Sequence, residues 1–169
     1  MASMYAVYHG PEGLREIAQS IHDKTSVLAQ GLKRLGFEQV NPYFFDTLTI
    51  RAEGRVEEIL SEARKRRINL RKVDDWHLGI ALDETTTPEV IEAVWEAFGG
   101  SFNFQDFVPE NHLPGSLQRT SRYLTHPVFN RYHSETELMR YMRKLADRDL
   151  ALDRAMIPLG SCTMKLNAA

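Results

Sequence analysis

The stretch Thr47-Leu48-Thr49-Ile50-Arg51 alternates polar and apolar residues as a half-buried strand does. The period then changes: past Gly54, the residues Val56, Ile59, Leu60 and Ala63 recur at helical spacing. Downstream, Leu70 to Val73 and the alternating Trp76, Leu78, Ile80 and Leu82 read as a strand pair, with Asp74-Asp75 as the hairpin turn. Thr85-Thr86-Thr87-Pro88 then supplies a cap and an N1 proline for a helix carrying Val90, Ile91, Val94, Trp95 and Phe98, which Gly99-Gly100 ends. Upstream, Leu14, Ile17, Ala18, Ile21, Leu28, Leu32 and Leu35 mark an amphipathic helix of about six or seven turns, long enough to span two packing units. Pro11 stands near its N1 position and Gly36 at its C′ stop. The order helix, strand, helix, strand, strand, helix predicts an α+β fold, a small antiparallel sheet with helices on one face.

The flanks read differently. Met1 to Gly10 is apolar and aromatic, with Tyr5 and Tyr8 around Val7 and no cap, and reads as the continuation of a buried segment from an upstream domain. From Ser101 to Arg131 the periodicity disappears; three phenylalanines, Phe102, Phe104 and Phe107, precede Pro109, Pro114 and Pro127. Phenylalanines do not suit a solvated linker, so an extended inter-domain connector lying on another surface is expected there. Ser134-Glu135-Thr136-Glu137 is a capping box that opens a further helix through Leu138, Tyr141, Met142 and Leu145 toward Leu152.

Across its 169 residues the chain has a net charge of −2 and a share of apolar residues, 43%, ordinary for a folded domain, which argues against wholesale disorder. No apolar run approaches the about 18 residues of a membrane span, and the N-terminus lacks a secretory signal, so the expectation is an intracellular protein without a membrane partner. A single cysteine, Cys162, excludes an internal disulfide framework. With no CxxC pair or HExxH, and six scattered histidines, no metal site is expected.

The chemistry concentrates near the C-terminus, in Pro158-Leu159-Gly160-Ser161-Cys162-Thr163-Met164-Lys165-Leu166-Asn167. Hydroxyls, a thiol, an amine and an amide fall within seven positions of a Gly-led loop, which suits a polar ligand and equally an N-capped turn. Lys165 reads as a substrate- or cofactor-side cation, because nothing in the segment supplies the desolvated pocket a Schiff-base lysine needs. The run Arg64-Lys65-Arg66-Arg67 ends a helix, where cations complement the dipole, so no nucleic-acid partner is expected. Asp74 and Asp75 read as turn residues rather than catalytic carboxylates. Tyr5, Tyr8 and His9 form a tyrosine-rich loop that could pack or line a pocket.

Tyr5-Ala6-Val7-Tyr8-His9-Gly10-Pro11-Glu12-Gly13-Leu14, His126-Pro127-Val128-Phe129-Asn130 and Pro158 to Asn167 resemble, in that order, the P-protein family of the glycine cleavage system, glycine dehydrogenase (decarboxylating). Asp46-Thr47-Leu48-Thr49 and Asp149-Leu150-Ala151-Leu152-Asp153 are similar to the same family. The resemblance implies an internal fragment of a tandem of two pyridoxal-phosphate enzymes of the aminotransferase-like fold (fold type I). Residues 1–100 would be the small α+β domain ending the first half, 101–131 the connector between halves, and 132–169 the start of the second.

The implied activity is decarboxylation of glycine with transfer of the aminomethyl group to lipoylated H-protein, and the implied partners of this chain are glycine, H-protein and the remainder of the P-protein. Ser161, Thr163 and Asn167 would line the glycine and cofactor pocket. The family's Schiff-base lysine follows a histidine, and this chain has no His-Lys dipeptide. The fragment alone is therefore expected to be inactive and to hold no pyridoxal phosphate. Its location would be cytoplasmic in a bacterium and the mitochondrial matrix in a eukaryote. The alternative is a non-catalytic, small-molecule-binding regulatory α+β module, since the same element order serves both.

Overall fold

The computed structural model describes residues 1–148. These form two compact units, Arg15–Ser121 and residues 1–14 together with those from Arg122 onward. The elements in order are α1 (Ala2–Arg34), β1 (Glu38–Gln39), β2 (Thr47–Arg51), α2 (Val56–Lys65), β3 (Arg71–Lys72), β4 (His77–Ala81), α3 (Pro88–Ala97) and α4 (Glu135–Ala146), with 3-10 turns at Phe104–Asp106, Gly115–Leu117 and Pro127–Asn130. No helix among the described residues is long and apolar enough to cross a membrane.

In the 15–121 unit the fold is the α+β one expected: a four-stranded antiparallel sheet of order β1-β2-β4-β3. β4 lies between β2 and β3, so the β2-α2-β3 crossover is a split β-α-β unit. Register places Leu48 opposite Ile80 and Ile50 opposite Leu78, and these four side chains are buried while Thr47 and Arg51 are exposed. They join Leu28 and Leu32 of α1, Ile59 and Leu60 of α2, and Ile91 and Trp95 of α3 in one core.

Three helices of this unit end alike. Gly36 (φ 86), Arg67 (φ 61) and Gly99 (φ 93) take the left-handed conformation just past α1, α2 and α3. At each stop the next two amides return to the helix: Gly36 N–H to Lys33 O and Phe37 N–H to Leu32 O after α1, with the same pair of bonds repeated after α2 and α3. Arg67 is the one that has a Cβ to accommodate.

Differences from the expectation have local causes. β1 was not foreseen, being only two residues that borrow β2 as a template. Trp76, expected to point inward, is 49% exposed, because the hairpin turn claims it: Asp74 Oδ1 accepts from the N–H groups of Trp76 and His77, both at 2.8 Å. Residues 2–9 are helical rather than a loop, with Tyr5 exposed and Val7 buried. Thr87 is the N-cap of α3 but makes no side-chain capping bond, while Thr85 and Thr86 hydrogen-bond Asp83 instead. α4 ends at Ala146 with Asp147 as its cap, and Leu152 is outside the described residues.

The phenylalanines of the aperiodic stretch pack on the 15–121 core itself. Phe107 is buried, its ring 5.0 Å from Trp95 and 5.7 Å from Phe102, with the Arg34 guanidinium 4.4 Å above it. Beyond them the chain runs back along α1, held by three polar side chains spaced four residues apart. Gln30 Nε2 donates to Val108 O (2.8 Å), Glu110 N–H to Ser26 Oγ (2.8 Å), and His112 N–H to His22 Nε2 (3.2 Å). Eight helical residues advance about 12 Å and four extended residues about 13 Å, so the two repeats match. This accounts for His22 and Ser26 being buried polar groups on an otherwise apolar face.

α1 and α3 touch where Gly31 meets Trp95. A Cβ at residue 31 would overlap the indole, with Cζ2 only 2.7 Å away, and Trp95 Nε1–H donates to Leu28 O at 3.1 Å. Gly31→Ala gains about 1 kcal/mol of helix propensity but overpacks a closed contact at up to about 3 kcal/mol. A net loss of about 2 kcal/mol is expected in urea unfolding of the chain. Arg67→Gly removes the left-handed penalty and should stabilise by about 0.5–1 kcal/mol, read as a raised midpoint in the same experiment.

Candidate functional site

Two of the sequence motifs, more than a hundred residues apart, come together in the unit formed by residues 1–14 and 122–148. Gly10 interrupts α1 at φ 64, ψ −177, a region open only to glycine. A Cβ there would lie 2.6 Å from His133 Cε1 and 2.7 Å from Phe129 O. His133 Nδ1 donates to Tyr8 O at 2.7 Å, and Tyr123 Oη donates to Pro11 O at 2.6 Å. The carbonyls of Tyr8 and Pro11, on either side of the Gly10 break, thus each receive a side-chain donor. Tyr5 and Tyr8 pack on the His9 ring at 4.3 and 5.2 Å.

The second motif is a self-capped turn. His126 Nδ1 accepts from Val128 N–H at 3.2 Å, and Pro127 takes the N1 position, where no donor is needed. Asn130 Nδ2 donates to Leu124 O and His126 O, both at 3.1 Å, which holds Leu124 at φ 49. The turn so fixed delivers Phe129 O to Gly10. Ser134 then caps α4 by accepting from Glu137 N–H, the first half of the capping box, and the Glu137 carboxylate reaches back to accept from the Ser134 hydroxyl.

Ser161, Thr163 and Asn167, with Cys162 and Lys165, lie outside the described residues. Asp74 and Asp75 serve the hairpin: Asp75 meets Lys72 at 2.8 Å, and the His77 ring hydrogen-bonded to Asp74, with the Trp76 amide, holds its carboxyl below the usual range. Arg66 is tied to Glu62 and Glu96. His133 and Tyr123 were missed because a donor to a distant backbone carbonyl leaves no spacing signal.

The 15–121 unit carries a cavity of about 410 Å³ lined by Gln30, Lys33, Glu38, Gln39, Glu110 and His112, among others. Beside it, His22 donates through Nδ1 to Phe45 O at 3.0 Å while Nε2 accepts from His112 N–H, so both ring nitrogens are engaged. The His112 ring stacks on Phe44 at 4.5 Å, and its Nε2 is the one buried side-chain polar atom without a protein partner among the described residues. Burial holds the His112 pKa below its ordinary 6.5 against the opposing pull of Glu110.

Fold and site together define a class: a small split β-α-β domain covalently joined to a helical unit built from two paired motif segments. Residues 1–98 match the family model described as glycine cleavage system P-protein. The chain is 61% identical to a glycine dehydrogenase (decarboxylating) of Rhodopseudomonas palustris (strain BisA53) and 60% identical to one of Nitrobacter hamburgensis. A third, from Allorhizobium ampelinum, is 58% identical. Each match covers 99% of this chain and 18% of the relative. The chain belongs to the glycine cleavage system P-protein family, which does not favour the regulatory-module alternative.

Two outcomes are expected. Gly10→Ala should leave the 15–121 unit folded but raise amide exchange of Val7 to Gly10 by at least about tenfold, since about 1–3 kcal/mol of backbone strain is added to a steric overlap. Because the folded His112 pKa lies below the unfolded one, the unfolded chain binds more protons between them. Its contribution is complete above about pH 6.5 and is lost as pH falls through the folded value. The thermal midpoint should therefore drop more between pH 7.5 and 5 in the natural chain than in His112→Gln.

Proposed function

We propose that this chain is an internal portion of a glycine dehydrogenase (decarboxylating) that acts on glycine and hands the aminomethyl group to lipoylated H-protein. The observation that carries this is the 55–61% identity to proteins of that name over 99% of the chain. In this reading residues 1–100 end the first half of the enzyme, 101–131 connect the halves, and 132–169 open the second. The end of the family-model match at residue 98 supports the first boundary. The bacterial relatives support a cytoplasmic location.

The family's cofactor, pyridoxal phosphate, acts as an electron sink for the bond to the departing carboxylate. The described residues do not fit it. A Schiff-base lysine needs a desolvated site, whereas Lys24 is half-buried and Lys33, Lys65, Lys72 and Lys144 are exposed. Lys65 and Lys72 are moreover held as cations by carboxylates. Lys165 lies outside the described residues and does not follow a histidine, so in this reading the remainder of the parent enzyme supplies that lysine. What this chain would contribute is placement: Ser161, Thr163 and Asn167 offer donors to the glycine carboxylate, on a segment that follows α4.

Mixed with pyridoxal phosphate, the chain alone should give no stoichiometric, borohydride-trappable adduct; finding one by mass spectrometry would refute the division of labour. In the full-length enzyme, replacing Ser161, Thr163 and Asn167 together by Ala should slow exchange of the glycine carboxyl with bicarbonate by at least about a hundredfold, as removal of positioning contacts does. Unchanged exchange would remove these residues from the pocket.

A further inference from the structure

We propose that a basic notch beside α4 receives the carboxylates of an acidic polypeptide segment of the parent protein. The notch is a cavity of about 260 Å³ whose lining includes His126, Arg131, Tyr132, Tyr141, Lys144 and Arg148 and, among the described residues, no acidic one. Tyr141, Lys144 and Arg148 recur at three- and four-residue spacing, so they share one face of α4 and its C-terminal turn. Arg131 and His126 arrive from the self-capped turn. The Tyr132 and Tyr141 rings stack at 4.3 Å and 15° to form an apolar wall, with the Arg131 guanidinium 5.6 Å from the Tyr132 ring centre.

The charges are unbalanced. Arg143, on the same helix, pairs with Asp147 at 3.0 Å, yet among the described residues no carboxylate pairs with Arg131, Lys144 or Arg148. Lys144 and Arg148 are like charges four apart, which repel. Cations at the end of a helix complement its dipole, and that accounts for Lys144 and Arg148. It does not account for Arg131, which comes from another segment, or for the tyrosine wall. Because His126 Nδ1 accepts from Val128 N–H, its Nε2 is the ring's donor, adding a fourth donor to the notch.

Two guanidinium groups favour a planar, bidentate acceptor, and the stacked tyrosines suit the methylene stem of Glu or Asp. A polypeptide source is favoured over a free anion because the chain spans 18% of its relatives' length. The rest of such a protein is tethered to this unit, and a tether raises the effective concentration of even a weak charged contact.

The test uses the 169-residue chain at low salt, with a blocked tetraglutamate peptide and inorganic phosphate as separate probes, read by the ring resonances of Tyr132 and Tyr141. Saturable shifts with the peptide are expected, weakened at least about fivefold in Lys144→Gln/Arg148→Gln and in Arg131→Gln. Variants with unchanged circular dichroism but unchanged peptide affinity would overturn the proposal. So would saturation by phosphate with no response to peptide, or no saturation by either. Peptide binding that emerges only in Asp149→Asn/Asp153→Asn would assign the notch to the chain's own downstream acids and equally overturn it.

Discussion

The contact between the Trp95 indole and the bare backbone of Gly31 sets the spacing of α1 and α3, and the rest of the 15–121 unit is arranged around it. A single ring fills the place a side chain would take at residue 31 and spends its one polar group on Leu28 O, so it is buried without an unpaired donor. Phe107 and Phe102 close on the same ring, and Arg34 covers Phe107. A tryptophan here therefore joins helix packing to the placement of a stretch with no periodicity of its own.

From that anchor the chain between Val108 and His112 is laid along α1 by hydrogen bonds rather than by apolar burial. His22, Ser26 and Gln30 offer one acceptor, one acceptor and one donor at helix-turn intervals, and the extended segment presents matching backbone groups at every second residue. Buried polar side chains on an apolar face are costly when unpaired. Here each meets a backbone group that would itself need a partner, which satisfies both sides at once.

The helical unit depends on a different device. Gly10 is the point where absence of a side chain allows Phe129 O and His133 to approach, and Tyr8 O and Pro11 O are met by His133 and Tyr123. Two of the motif segments whose sequence resembles the P-protein family are thus the two sides of one contact. Their residue types follow from it: glycine for the φ, Pro127 for a turn start with no donor, and Asn130 for a side-chain donor that ties two carbonyls of the turn together.

What the sequence determined by itself was local. The period-two pattern of Thr47–Arg51 and Leu78–Leu82, the helical spacing of Leu28, Leu32 and Ile59, the stop at Gly36 and the box at Ser134 each depend on residues within a few positions, so periodicity and capping chemistry reveal them. The tertiary structure alone decided the pairing of Glu38–Gln39 with β2, the course of Val108–His112 along α1, and the meeting of Gly10 with His133. In the course of Val108–His112 and at Gly10, side chains serve backbone groups up to 125 residues away. Such a bond repeats with no period along the chain, and only the folded backbone brings its two ends within reach.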